Sequence, residues 1–167
     1  MLSRPRFLSV CSGIEAASVA FQPLGWEAVA FAEIEAFPSA LLALHYPTVP
    51  NLGDLRRFRE WDESLLAAAD VLCGGTPCQA FSVAGLRGSL DDERGNLTLT
   101  FCYLYDHLDQ IRHLHGRPPA VCLWENVPGI LSDKQNAFGC FLAGLAGADE
   151  PLRPPGADLG RLDAQPH

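Results

Sequence analysis

The chain has 167 residues, 48% of them hydrophobic, and carries a formal net charge of −8. This length and composition suit one folded domain with a sizeable core and exclude a disordered chain. No apolar run reaches the length of about 18 residues that suggests a membrane-spanning helix. Six cysteines without a C-x-x-C pair favour a reducing cytoplasm, without disulfides or a metal site. Because a self-sufficient DNA-binding surface is usually basic, this acidic chain is expected to lack most of one.

Strands and helices are predicted to alternate along most of the chain. Five strands are predicted at residues 6–10, 26–32, 51–55, 71–73 and 120–124, of which the third is a short strand or a turn. Helices are predicted at residues 14–24, 38–45, 62–69, 96–115 and 134–145, with Gly25 as a stop and Asp62 as a cap. This alternation is typical of the α/β class with a doubly wound, mostly parallel sheet.

The pattern ends near residue 147. Residues 1–147 are predicted to form the domain, and residues 148–167, rich in proline and glycine, an irregular tail. Five strands are only part of a typical doubly wound sheet. We therefore expect the fold to be incomplete on its C-terminal side, with the last strand as an exposed edge.

Cys78 follows the fourth predicted strand through the turn Gly74-Gly75-Thr76-Pro77. In an open α/β sheet, ligands and chemistry gather at the carboxyl ends of the strands. A thiol in such a turn can ionise and act as a nucleophile. On the turn alone, a catalytic role and a structural one are about equally favoured.

Further residues with chemical potential follow the other predicted strands. Gly13 follows the first strand, and the acids Glu33, Asp54 and Glu125 follow the second, third and fifth. A glycine turn and an acid after the next strand are the arrangement that binds a nucleoside through its ribose. The G-x-G-x-x-G fingerprint is absent, and the charge of Glu15 would repel a pyrophosphate. We therefore expect a nucleoside ligand without phosphates.

Three motifs occur in order after predicted strands: Ser12-Gly13-Ile14-Glu15, Pro77-Cys78-Gln79 and Glu125-Asn126-Val127. Together they resemble the motifs of DNA (cytosine-5) methyltransferases of the bacterial and phage type, over roughly residues 7–145. The resemblance implies the Rossmann-like fold of methyltransferases that use S-adenosyl-L-methionine. It also implies transfer of a methyl group to C5 of a cytosine flipped out of double-stranded DNA, as in restriction-modification systems.

The resemblance assigns roles to individual residues. Cys78 would add to C6 of the cytosine, Glu125 would contact the ring, and Asn126 would support it. Segment 80–95 would close over the DNA, with Gln79, Ser82 and Arg94 as implied DNA-side residues. The implied cofactor-binding residues are Cys11, Gly13, Ile14, Glu33, Ile34, Asp54, Leu55, Pro77 and Leu97.

Within this cofactor set, Glu33 would accept hydrogen bonds from ribose hydroxyls and Asp54 would lie near the adenine amino group. Ile34 would pack against the adenine at a position where the family often has an aromatic residue.

The sequence departs from the family pattern in length. Family members also carry an arginine-bearing strand, a target-recognition domain and a C-terminal segment that completes the cofactor site, and none of these is visible here. We therefore expect a truncated enzyme that is weak or inactive alone. A separate C-terminal half with the recognition domain is a candidate partner.

Other functions remain as alternatives. A non-catalytic cofactor-binding remnant or subunit would share the cofactor residues but show no turnover. A nicotinamide-dependent oxidoreductase is disfavoured by the missing glycines. A cysteine hydrolase would need a histidine near Cys78, and no predicted strand end carries one.

Overall fold

The computed structural model describes residues 4–77, 97–132 and 136–153. Its centre is a sheet of four strands in the order β2-β1-β3-β4, and all three neighbouring pairs are parallel. The strands are β1 (Arg6–Val10), β2 (Glu27–Ala32), β3 (Val71–Gly74) and β4 (Val121–Trp124). The chain runs from β1 outward to β2 and then returns to β3 on the other side of β1. The gap between β1 and β3 is thus the switch point at which ligands bind in such sheets.

Five α-helices connect or follow the strands in the described part of the chain. They are α1 (Ala16–Phe21), α2 (Ala36–His45), α3 (Glu63–Ala68), α4 (Leu97–Leu114) and α5 (Ala137–Ala146). Three 3-10 helices span Gln22–Leu24, Leu55–Glu60 and Pro128–Ser132. The predicted α/β class with a parallel sheet is confirmed. No helix among the described residues is long and apolar enough to cross a membrane.

Of the short strand or turn predicted at residues 51–55, the structure has the turn. Only one parallel bridge forms there, between Phe31 and Asn51. Gly53 then takes a left-handed conformation with φ +73°, which turns the chain away from the sheet. Asp54 accepts a hydrogen bond from the Arg56 backbone N–H at 3.0 Å and caps a 3-10 helix instead. The described sheet therefore has four strands rather than five.

The main core lies on one face of the sheet. Leu8, Val10 and Leu72 pack there with Phe101 and other buried side chains of α4, and α3 and α5 complete this layer. The opposite face carries a smaller cluster around Phe7, covered by α1.

At the end strand β4, Val121 and Leu123 are 61% and 49% exposed. They lie in register with Val71 and Cys73 of β3, on the face that α1 covers only in part. As expected, the last strand forms an edge of the described sheet.

Arg112 on α4 stabilises the segment between α3 and β3 through hydrogen bonds. Its side chain is 2% exposed. The guanidinium donates to the carbonyl oxygens of Ala67 and Ala69, to that of Pro118 at 2.8 Å, and to Asp70 Oδ1 at 3.3 Å. A buried charge with several hydrogen bonds holds its surroundings strongly, because removing it leaves buried acceptors without donors.

We expect Arg112→Met to lower the free energy of unfolding by about 3–5 kcal/mol. Arg117→Met is the matched control, because Arg117 also donates to Asp70 Oδ1, at 3.2 Å, but is one-third exposed. Its loss should cost less than about 1 kcal/mol. Urea unfolding measures both values, and equal losses would contradict the anchoring role of Arg112.

Candidate functional site

The turn after β1 has an unusual backbone. Cys11, Gly13 and Glu15 all have positive φ, at 49°, 54° and 66°. Two of these three residues are not glycine, so the surroundings must hold the turn in place. Ser12 contributes to this hold: its Oγ accepts from the Ala32 N–H at 3.3 Å, and its N–H donates to the Ala32 carbonyl at 3.3 Å. The first turn is thus attached to the end of β2.

Glu33 joins the turn after β1 to the turn after β2. Its side chain is buried, and Oε2 accepts from the Gly13 N–H at 2.8 Å. Oε1 accepts from the N–H groups of Ile34 at 2.8 Å and Glu35 at 2.7 Å. A carboxylate oxygen has two lone pairs, so Oε2 keeps capacity for one more donor. The structure thus brings together Gly13 and Glu33, two residues that the sequence placed in one site.

Asp54 and Cys11 extend this cluster. The guanidinium of Arg56 binds the Asp54 carboxylate through Nε at 3.0 Å and Nη2 at 2.6 Å. These contacts lower the pKa of Asp54. Burial, together with the charges of Glu33 and Asp54, raises the pKa of the Cys11 thiol to about 11. Cys11 is therefore protonated at neutral pH and suited to packing rather than nucleophilic attack.

The remaining predicted cofactor residues differ in how much of their side chains is exposed. Ile14 and Ile34 are 65% and 60% exposed, so each offers apolar surface next to its turn. Leu55 is buried in the main core, and Leu97 packs against it. Pro77 is exposed. The predicted residues Cys78, Gln79, Ser82 and Arg94 lie outside the described residues.

Thr76 is the centre of a second cluster, which sequence reasoning missed. It is 4% exposed. Its Oγ1 accepts from Trp124 Nε1 at 3.0 Å and lies 2.7 Å from Thr98 Oγ1. Asn126 Nδ2 donates to the Thr76 carbonyl at 3.1 Å. The turn that leads into Cys78 is therefore attached to the end of β4 and to the first turn of α4.

Glu125 lies beside the same turn. Its backbone N–H donates to the Gly74 carbonyl at 3.1 Å. A Cβ added at Gly75 would lie 2.7 Å from Glu125 Oε2, so the absence of a side chain at Gly75 makes room for this carboxylate. The predicted pair Glu125 and Asn126 thus contacts the segment that immediately precedes Cys78.

The two glycines of this turn allow a test of the contact. Gly75→Ala collides with a mobile carboxylate, which can swing away, so it should cost less than about 1 kcal/mol of stability. Gly74→Ala would put its Cβ 2.5 Å from the Val10 carbonyl oxygen, which is fixed in β1. It should cost about 1–3 kcal/mol. Urea unfolding compares the two, and equal losses would show that Glu125 cannot move aside.

Glu15 has a different place from the one expected. Its side chain is 0% exposed, so its charge is not presented to a ligand as the sequence interpretation assumed. Oε1 accepts from the Ser18 N–H at 2.9 Å and the Ser18 hydroxyl at 3.0 Å, which caps α1. Oε2 is buried without a hydrogen-bond partner in the described structure. Burial raises the pKa of Glu15, although its hydrogen bonds to Ser18 oppose the shift.

This raised pKa predicts a pH dependence of stability. Because folded Glu15 holds its proton more tightly than the unfolded chain, its contribution is most favourable below the ordinary carboxyl pKa of about 4.3. The contribution is lost as pH rises through the folded pKa. Urea unfolding at pH 5 and pH 8 should therefore show Glu15→Gln gaining stability relative to the unsubstituted protein at the higher pH. A difference that stays constant with pH would contradict this.

The chain contains no candidate metal centre within its described residues, where no group of three His, Cys, Asp or Glu side chains could hold an ion. The strand ends do offer the Glu33 carboxylate, bound to Gly13 of the turn after β1, and β1 is the strand next to the polar cluster at β3 and β4. This arrangement suits an organic cofactor and a second reactant.

Comparison with known proteins agrees with this description. Residues 5–148 match the family model of C-5 cytosine-specific DNA methylases. The chain belongs to this family. The match favours the methyltransferase interpretation over the oxidoreductase and hydrolase alternatives.

Individual relatives extend beyond the matched region. The chain is 57% identical over 147 residues to the DNA N-6-adenine-methyltransferase of Escherichia phage P1, covering 87% of this chain and 20% of that protein. It is 34% identical over 142 residues to the orphan methyltransferase M.Rho11sI of Bacillus phage rho11s, covering 82% of this chain and 26% of that protein. A crystal structure of a Spodoptera frugiperda DNMT2 mutant shares the fold, with a TM-score of 0.59 at 22% identity, over 85% of this chain and 40% of that one.

Proposed function

We propose that the protein transfers a methyl group from S-adenosyl-L-methionine to C5 of cytosine in DNA, through a covalent adduct on Cys78. The observation that carries the proposal is the contact of Glu125 and Asn126 with the turn that leads into Cys78. This contact lies at the same sheet edge as the Gly13–Glu33 pair. The family match supports the same reaction.

The residues at β1 and β2 fit the nucleoside half of this cofactor. Glu33 Oε2 has capacity for one further donor, such as a ribose hydroxyl. A Cβ added at Gly13 would meet nothing within 4 Å, so there is open space beside the first turn. The exposed Ile34 offers an apolar surface for the adenine. Asp54 is the proposed acceptor for the adenine amino group, which would have to displace a bond to the exposed Arg56 side chain. When bound, the cofactor supplies an electrophilic methyl group on a sulfonium.

Cys78 makes the cytosine reactive. Its thiolate would form a bond to C6 as the C5=C6 double bond opens, which raises the electron density at C5 and allows that carbon to take the methyl group, with S-adenosylhomocysteine as the leaving group. Glu125 would hydrogen bond at N3 of the ring, and general acid assistance of this kind is typically worth about 10²–10⁴-fold in rate. Loss of the C5 proton to a base then expels the thiolate from C6. Before any of these steps, the cytosine must leave the DNA stack, at a cost of a few kcal/mol.

A polypeptide of these 167 residues is expected to be weak or inactive alone. Its net charge of −8 disfavours contact with DNA phosphates. It also spans only 20% and 26% of the two phage relatives described above. A separate C-terminal half that carries the recognition domain would supply the missing contacts. The alternative is that the chain is a cytoplasmic cofactor-binding subunit, and that turnover requires the second polypeptide.

Methylation of adenine at N6 is a second candidate function. The name of the phage P1 relative favours it, but the match spans a fifth of that protein, so the name does not decide which base the matched part modifies. Attack by the N6 amino group requires no thiol adduct. Dependence on Cys78 therefore distinguishes the two reactions.

The test supplies DNA and tritiated S-adenosylmethionine to the protein, with and without a separately expressed C-terminal half from a relative. We expect 5-methylcytosine in the digested DNA. DNA that contains 5-fluorocytosine should form a stable adduct, because it has no C5 proton to lose. Cys78→Ser should abolish both the 5-methylcytosine product and the adduct, while S-adenosylhomocysteine still binds.

Three other outcomes are informative. N6-methyladenine as the product, or an adduct that persists in Cys78→Ser, would contradict the proposal. Cofactor binding with neither product nor adduct, even with the added half, would favour the non-catalytic subunit.

A further inference from the structure

We infer that Asn51 is a positioning residue that sets the spacing between Glu33 and Asp54, and thereby the affinity for the nucleoside half of the cofactor. This inference rests on the proposed cofactor site. Asn51 belongs to none of the motifs, and sequence analysis gave it no role.

Asn51 continues the pairing of β2 beyond the point where backbone pairing stops. The Phe31 N–H donates to the Pro50 carbonyl at 2.9 Å, and the Leu52 N–H donates to the Phe31 carbonyl at 2.8 Å. The Asn51 side chain then pairs both backbone groups of Glu33. Its Oδ1 accepts from the Glu33 N–H at 3.0 Å, and its Nδ2 donates to the Glu33 carbonyl at 3.0 Å.

The same side chain holds the turn that carries Asp54. Asn51 Oδ1 also accepts from the Gly53 N–H at 3.1 Å. Gly53 is the residue with φ +73° that redirects the chain, and Asp54 follows it directly. The Asn51 amide oxygen therefore accepts hydrogen bonds from the N–H of Glu33 and from the N–H of Gly53, the residue before Asp54. The relative position of the two acids depends on this amide.

The physical consequence is an effect on binding rather than on folding. Asn51 is exposed and lies outside the hydrophobic clusters. If its amide is removed, water can reach the released backbone groups, so the fold should lose little stability. Two independently moving acids must instead be ordered when the ligand binds, which weakens binding. Besides its bond to Glu33, the first turn is held by Ser12, whose bonds to Ala32 do not involve Asn51, so the methionine side of the ligand should keep its contacts.

Ser39 offers a matched control within the same cluster. Its hydroxyl donates to the Glu33 carbonyl at 3.2 Å and accepts from Asn51 Nδ2 at 3.2 Å. Neither bond reaches Gly53. Ser39→Ala therefore removes two hydrogen bonds near Glu33 but leaves the connection between the two acids intact.

The experiment titrates S-adenosylhomocysteine and 5′-methylthioadenosine, which lacks the amino-acid part, into the protein by calorimetry. We expect Asn51→Ala to weaken both ligands by the same factor, about three- to tenfold. Ser39→Ala should weaken them by less than about twofold. Urea midpoints of the two variants should be similar.

Several results would overturn the inference. They are an unchanged affinity in Asn51→Ala, an equal loss in Ser39→Ala, a loss for S-adenosylhomocysteine only, and a loss that follows a lowered fraction of folded protein. Failure of the unsubstituted protein to bind either ligand would instead overturn the proposed cofactor site, and this inference with it.

Discussion

The carboxylate of Glu33 is the contact on which the proposed cofactor site depends. A buried charge is stable only when it is hydrogen bonded, and this one receives three backbone N–H groups from two different turns. Its bond to Gly13 holds the first turn, in which Cys11 and Glu15 take left-handed conformations that they would otherwise avoid. The same oxygen retains room for one donor. One side chain therefore both shapes the site and offers its ligand an acceptor.

The proposed catalytic side is organised around the Thr76 hydroxyl rather than around a charge. Thr76 gathers contacts from β4 and α4 at the turn before Cys78, and Asn126 joins them through the Thr76 carbonyl. The two sides are close because β1 and β3 are neighbours in the sheet. At Gly74 the strands approach so closely that a Cβ would lie 2.5 Å from the Val10 carbonyl oxygen. The parallel sheet thus places the turn after β1 next to the turn after β3, and these are the segments of the proposed cofactor site and the proposed nucleophile.

Sequence reasoning reached those parts of the structure that depend on local patterns. Apolar runs located β1 and β3, and strand-end logic placed Gly13 with Glu33. The pattern left strand and turn open at residues 51–55, and the turn forms because the left-handed Gly53 redirects the chain before a strand can pair. Asn51 and Thr76 were missed because they resemble ordinary turn residues. Their partners are groups 18 and 50 positions away along the chain, which no local pattern reveals.

The most direct test of this account is a crystal structure of the protein with S-adenosylhomocysteine. We predict a ribose hydroxyl within hydrogen-bond distance of Glu33 Oε2, with the Gly13 N–H still bound to that same oxygen. A ligand bound away from the carboxyl ends of β1 and β2, or a Glu33 carboxylate released from Gly13 in the complex, would contradict the account.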